Sequence, residues 1–357
     1  MSFELLKAEV EKGIQGNNDG IPMGFDRLNR YMGIRKSMYY LIGGNTGSGK
    51  TSFIDDCFVL NPFDWSLSKE GKNSGINIKI WYRSMERSRT YKMAKWVTRK
   101  IFKDTGKIIS VNKLLGWTEK MTDEEYKLFL TYEDYMNQIE ASITIIDGPE
   151  NPVGIAKDLR KYALQNGKII QTDPDDEYSK IYVPNDPNTV TIVVIDHIGL
   201  LKTTKDQPTK KDAIDKMSDE LRYARDFFGF TPVVVSQFNR SISNPMRIKN
   251  GDVEPQLEDF SDSSSTQNDA DVVLALFDPI RYKVEDPSGY NLGKLKDEFG
   301  AKYFRSLRLI KNSYGEDDIR IGLAFLGTIG MFKELPRKKD ITDSDYESVT
   351  NKSYFLD

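Results

Sequence analysis

Only one cysteine and one histidine occur in the 357 residues, and these scarcities remove whole classes of chemistry. A single thiol, Cys57, excludes an intramolecular disulfide framework, and its apolar surroundings make it a small core residue rather than a reactive group. The lone His197 offers no His/Cys cluster, so a packing or hydrogen-bonding role is expected instead of a zinc centre. No apolar run approaches the ~20 residues that a membrane span needs. The opening MSFELLKAEVEKG is charged and helical in pattern, unlike a secretory leader, so the expectation is a cytoplasmic protein with no membrane partner. Charge of one sign is missing too. Lys+Arg 51 stand against Asp+Glu 54, net -3, so any nucleic-acid surface has to be a local patch. What is present is 38% hydrophobic content, ample for buried cores.

The strongest positive signal is MYYLIGGNTGSGKT, residues 38–51, in which an apolar strand breaks into glycines and closes on Gly-Lys-Thr. The spacing fits a phosphate-binding loop followed by a helix. Glycines let successive N–H groups turn toward phosphate oxygens, and the helix presents its positive end to the same anion. Gly44, Asn45, Thr46, Gly47, Ser48, Gly49, Lys50 and Thr51 are therefore the candidate nucleotide-binding set. Within it Lys50 reaches the β and γ phosphates, and Thr51 offers a hydroxyl to Mg²⁺.

Further along, Ile76–Tyr82 reads as a strand with Glu86 beyond its end. Position alone leaves Glu86 open, either as an ordinary glutamate at a helix start or as the group that orients an attacking water. Val190–Leu201 is an apolar run interrupted by Asp196, as in a strand buried on both faces that ends in a metal-facing carboxylate. An aspartate at a strand end is common. Its pairing with the loop makes it a candidate Mg²⁺ residue opposite Thr51. Thr231–Ser236 is another strand, with Gln237 placed to sense a γ phosphate. Segments 90–102, 122–140 and 212–228 carry helical periodicity, the second opening on a Thr122/Glu125 capping box. Strands are also expected at 142–147, 272–277, 305–311, 319–325 and 331–335. Residues 168–188 read as a solvated hairpin insertion, 241–268 as a long polar loop, and 337–357 as a charged, frayed tail. Residues 1–19 form a short amphipathic helix and linker, packed on its own domain or docked as an arm on a neighbour.

In their order, GGNTGSGKT, RSMER, VVIDHIGLL, VVVSQFNR, LEDFSDSSSTQNDADVV and LRLIKNSYGEDD resemble the RecA-like motor domain of DnaB-type replicative helicases, over residues 20–336. The resemblance implies an α/β fold, a RecA-like P-loop ATPase core with a mostly parallel central sheet flanked by helices and antiparallel strands at the C-terminal edge. It implies ATP and Mg²⁺ as cofactors, single-stranded DNA as partner, a ring of identical subunits, expected to be a hexamer, and a separate primase or loader. By the same similarity Lys50 binds phosphate, Glu86 is the catalytic base, Asp196 with Thr51 serves the metal, and Gln237 senses phosphate. Lys311 matches the lysine of the family's Lys-x-Arg, but Ser313 stands where that motif's arginine would reach a neighbour's ATP. An arginine finger is worth on the order of 10³ or more in rate, so slow hydrolysis is expected unless Arg305, Arg308 or Arg320 substitutes. Ser261 and Ser264 stand where the family's DNA-contacting loop carries an arginine and a glycine. Strand contact would then rest on backbone amides there and on Arg240, Arg247 and Lys249. The alternative is a RecA-like assembly or loading ATPase, or a recombinase, without unwinding activity.

Overall fold

Six apolar runs line up in parallel in a computed structural model that describes residues 3–14, 20–176, 178–260, 264–283, 286, 288–296 and 302–356. The strands, in chain order, are β1 (Tyr40–Gly44), β2 (Asn77–Ser84), β3 (Ile143–Asp147), β4 (Gly167–Gln171), β5 (Lys180–Pro184), β6 (Thr189–Asp196), β7 (Thr231–Gln237), β8 (Val272–Phe277), β9 (Phe304–Asn312), β10 (Ile319–Leu326) and β11 (Met331–Glu334). Nine of them form one sheet in the order β11-β10-β9-β8-β1-β7-β6-β2-β3. From β8 to β3 every neighbouring pair is parallel, whereas β9, β10 and β11 add on antiparallel at the C-terminal edge. This is the expected RecA-like α/β architecture.

Alternation along each strand divides the core between two faces. Tyr40, Ile42, Ile80, Tyr82, Val194 and Val233 pack with Phe53, Phe58 and Trp96 on one side. Leu41, Trp81, Val193, Ile195 and Val234 meet Ile214, Met217 and Leu221 on the other. Those last three belong to the helix Lys210–Phe228, which a Thr209/Asp212 capping box opens and Gly229, in the left-handed conformation, closes. Because both faces are covered, the central strands are apolar throughout. Cys57 is fully buried, as its surroundings implied.

Parallel register decides where the chemistry falls. Gly44 of β1 lies beside Gln237 of β7, and Ser84 of β2 lies beside Asp196 of β6. The carboxyl ends of four strands therefore open onto one crevice, where open α/β sheets bind ligands.

Outside the 241–268 region, the structure departs from the sequence reading in three places. The helical segment 122–140 is two helices, Asp123–Leu130 and Glu133–Ser142, with the buried Tyr132 turned inward between them. The hairpin β4–β5 is not merely solvated. Tyr182 leaves it to pack on Phe228 and Phe230 at ring distances of 5.2 and 6.4 Å. The C-terminal tail is not frayed either. A helix at Asp343–Val349 and a turn at Lys352–Phe355 bury Tyr346, Val349 and Phe355 against Phe102, Phe304 and Leu335. Truncating Phe355 to Ala is expected to cost about 3 kcal/mol by denaturant unfolding, as for other buried aromatic residues. An unchanged midpoint would mean that the tail is not docked in solution.

Candidate nucleotide site

The glycine-rich loop runs from the end of β1 into the helix that begins at Lys50. Its glycines are required by local geometry. Gly47 and Gly49 have φ of +80° and +98°, and a Cβ on Gly44 would lie 2.6 Å from the Leu276 carbonyl oxygen. The back of the loop is fastened by side chains from elsewhere. Arg305 Nε donates to the Ser48 carbonyl at 2.8 Å while its guanidinium lies over the Phe325 ring, and Arg281 donates to the Thr46 carbonyl. The Asn45 amide reaches the Tyr282 hydroxyl. Lys50 folds over the loop and donates to the carbonyls of Gly44 and Asn45 at 2.7 and 2.9 Å.

A cavity of about 400 Å³ lies in front of this loop, and Thr46, Gly47, Gly49, Lys50 and Thr51 border it together with Glu86, Asp196, His197 and Gln237. Thr51 Oγ1 donates to Asp196 Oδ1 at 3.2 Å. Glu86, about half exposed, has Arg87 Nη2 at 3.9 Å. Gln237 Nε2 is 3.2 Å from Nε2 of the buried His197, so the single histidine takes the hydrogen-bonding role expected of it. Asn45 and Ser48 are buried in the loop itself and do not border the cavity.

Beside Asp196, on the wall of the same cavity, lies a charged cluster that the sequence reading missed. Lys92, on the helix Arg89–Thr105, is 1% exposed, and its ammonium sits 3.0 Å from Asp55 Oδ1 and 3.2 Å from Asp196 Oδ2. The Tyr82 hydroxyl lies among the three, accepting from Lys92 and bonding Asp196 Oδ2 at 2.9 Å and Asp55 Oδ1 at 3.2 Å. Burial works to raise the Asp196 carboxyl, but the Lys92 charge and hydrogen bonds from Tyr82, Lys92 and Thr51 outweigh it and hold the group below its ordinary value. Burial, reinforced by the two carboxylates, pushes the Tyr82 hydroxyl well up, which keeps it a donor. One turn along the same helix, Lys95 donates to Ser52 Oγ at 2.6 Å, and burial lowers its pKa. Asp55 lies where the helix from the loop winds more widely, at Asp55–Leu60. The available signal was charge in the apolar run FIDDCFVL.

The remaining predicted residues lie outside this cavity. Lys311 on β9 caps the short helix Ser264–Asp269, donating to Gln267, Asn268 and Ala270 carbonyls at 3.2, 3.3 and 2.7 Å. Ser313 is exposed, its amide bound to the Asp271 carbonyl. Of the three alternative arginines, Arg305 is buried and serves its own loop. Arg308 is paired with Asp318 at 2.7 Å, and Arg320 with Glu254 and Asp318.

Residues 241–260 are more ordered than the expected polar loop. Short helical turns occupy Arg240–Ser243, Pro245–Lys249 and Leu257–Asp259. The segment closes at its base where Asn239 N donates to the Asp259 carbonyl and Phe238 meets Phe260 at a ring distance of 5.2 Å. Those two rings fill the space that a Cβ on Gly43 would occupy. Arg247 is turned inward, bound to the buried Asp259 at 2.5 and 3.2 Å and to the Asp252 carbonyl at 2.8 Å. Lys249 is exposed. The side chains of Arg240 and Ser264, and the whole of Ser261, lie outside the described residues. Arg247→Ala is therefore expected to destabilise the protein by about 2 kcal/mol, since it strands a buried carboxylate, whereas Lys249→Ala should stay within about 0.5 kcal/mol. Denaturant midpoints of the two variants check this, and equal midpoints would contradict the inward role of Arg247.

The sheet order, parallel at its centre with an antiparallel edge, defines a RecA-like α/β fold. Residues 178–334 match the family model described as the DnaB-like helicase C terminal domain. Over those residues the chain is similar to the DnaB helicase type, and its fold is RecA-like. It is similar to the replicative DNA helicase DnaB of Helicobacter pylori, 23% identical over 285 residues, which cover 78% of this chain and 48% of that protein. It is also similar to the replicative DNA helicase DnaB of Mycobacterium leprae, 30% identical over 98 residues, covering 28% of this chain and 15% of that protein. The chain thus spans about half the length of the first relative and a small part of the second. Among solved structures, one described as an ATPase domain superposes with a TM-score of 0.65 at 20% identity, over 94% of this chain and 99% of that one. A DnaB-like replicative helicase, described with its interactions with primase, gives 0.62 at 19% identity over 93% and 66%. These superpositions speak for the fold.

Proposed function

We propose that this chain is the ATP-hydrolysing, Mg²⁺-dependent motor of a DnaB-type replicative helicase, one subunit of a ring, expected to be a hexamer, that moves on single-stranded DNA. The observation that carries the reading is the convergence of Lys50, Thr51, Glu86, Asp196 and Gln237 on one cavity from four strand ends. The residues fit the expected cofactors. Thr51 Oγ1 and Asp196 Oδ1, 3.2 Å apart beside the loop, are the hard oxygen donors that Mg²⁺ prefers. An ion held there would offset charge on the β and γ phosphate oxygens as the γ-phosphoryl group passes to water and ADP leaves.

The chain's own residues do the rest. Loop amides and Lys50 hold the phosphates, and the Glu86 carboxylate takes the proton of the attacking water. Gln237 sits one residue from the base of the 239–260 segment, so loss of its γ-phosphate contact is felt where Phe238 and Phe260 close that segment. We place the motor at residues 20–336, with 1–19 as an arm, 168–188 as an insertion, 241–268 as the strand-contacting region and 337–357 as a docked tail. Lys311, whose ammonium is bound to three carbonyls at the Ser264–Asp269 helix, would act toward a neighbouring subunit only on leaving them, and then as a point charge without arginine's fork. A separate primase or loader and a cytoplasmic location accompany this reading. Among the described residues no helix is long and apolar enough to cross a membrane.

A second reading, a nucleotide-dependent assembly or loading ATPase that does not unwind, is favoured by one observation. Ser313 replaces the finger arginine, while Arg305 is committed to its own loop and Arg308 and Arg320 are ion-paired. Forked DNA incubated with ATP distinguishes the two. Strand separation supports the helicase, whereas DNA-stimulated hydrolysis without separation supports the loader.

A further inference from the structure

From the buried cluster on the wall of the nucleotide site we propose that Lys92, anchored by Asp55 and Tyr82, is a positioning residue that fixes the Asp196 carboxylate with Oδ1 turned toward Thr51, where a metal would be held. The inference rests on the nucleotide-site reading above and adds a group to it. The two oxygens of Asp196 are divided between different partners. Oδ2 takes Tyr82 at 2.9 Å and Lys92 at 3.2 Å, whereas Oδ1 takes Thr51 Oγ1 at 3.2 Å. Rotation of the carboxylate would break both bonds to Oδ2. The lysine itself is immobilised, because Asp55 Oδ1 at 3.0 Å and the Tyr82 hydroxyl hold its ammonium and the ring of Tyr82 lies 4.0 Å from it.

An ion pair sealed so completely is a poor source of stability, since desolvating three charges offsets much of their attraction. Its geometry suits orientation better. Groups behind a metal-binding carboxylate aim it and tune its basicity, and their loss typically lowers metal affinity or activity about 10- to 100-fold. Asp55 has a second effect. With Asp196 it makes the cluster net negative by one, so Lys92 does not cancel the charge that attracts the cation.

The test uses the full chain and ADP, so no turnover is needed. Asp55→Asn combined with Lys92→Met removes one charge of each sign, keeps the volume and leaves the cluster's net charge unchanged. ADP affinity is measured calorimetrically with Mg²⁺ and with EDTA, and thermal unfolding is recorded in parallel. In the native chain Mg²⁺ is expected to strengthen ADP binding, and absence of any enhancement there would count against the nucleotide-site reading itself. With the enhancement present, the double variant is expected to keep its EDTA-state affinity and lose about tenfold of the Mg²⁺ gain. A cluster that only stabilises the fold would shift unfolding and leave the gain native, which would overturn the proposal. Tyr82→Phe, a conservative change that removes one of the two bonds to Oδ2, covers the case in which the double variant does not fold. A gain reduced about threefold supports the positioning role by the same logic, and a native gain overturns it.

Discussion

Lys50→Ala is expected to reduce ATP turnover at least about 10²-fold, the scale on which losing one preorganised group facing the developing charge is felt. The lysine is the only side-chain cation within the loop that borders the cavity. Its ammonium is bound to two loop carbonyls at 2.7 and 2.9 Å, which holds it at the edge of the cavity. Arg305 and Arg281 bind loop carbonyls from other sides, and on the cavity wall Lys92 is held by Asp55 and Asp196 and Lys95 by Ser52. Phosphate release at saturating ATP checks the expectation. Retention of native turnover would remove the loop from the chemistry.

Glu86→Gln separates binding from chemistry. The substitution keeps size and hydrogen-bonding reach but removes the basicity that accepts a proton from water, and general-base catalysis contributes about 10²–10⁴-fold. Glu86 is half exposed and makes only a loose 3.9 Å contact with Arg87, so little of the fold depends on it. Nucleotide affinity should be close to native while hydrolysis falls by that factor. Equal hydrolysis in both proteins would return Glu86 to an ordinary residue at a helix start.

How much of this was legible in the sequence depended on whether the signal was local. β6 and β7 were readable because strands covered on both faces must be apolar, and VTIVVID and TPVVVS are. The capping box at Thr122/Glu125 was readable because its two partners are three residues apart. The break at Tyr132 was not, since helical periodicity continues through it while the buried ring packs with Val97 and Ile101. The tail misled for a related reason. Its few apolar residues, Tyr346, Val349 and Phe355, find their partners on Phe102 and the β9–β11 edge, distant in the chain. The order in 241–260 depends on an Arg247–Asp259 pair that no periodicity announces.

The site divides along the same line. Lys50, Thr51 and the other loop residues follow a fixed local spacing, and Asp196 and Gln237 stand at the ends of apolar runs. Glu86 drew its assignment from family resemblance, because glutamates at helix starts are commonplace. Lys92 was invisible, and Asp55 showed only as charge within an apolar run. Lys92 meets a carboxylate 37 residues away and another 104 residues away only once β2 and β6 pair and the helices dock.

On the proposed function, one cavity couples Mg²⁺-dependent ATP hydrolysis to single-stranded DNA. The most direct test of this coupling is phosphate release by the purified chain with ATP and Mg²⁺, measured with and without single-stranded DNA and with Lys50→Ala as reference. The account predicts release that requires Mg²⁺, rises with DNA and is lost in the variant. Release that is absent under all conditions, or equal in the native chain and the variant, would contradict it.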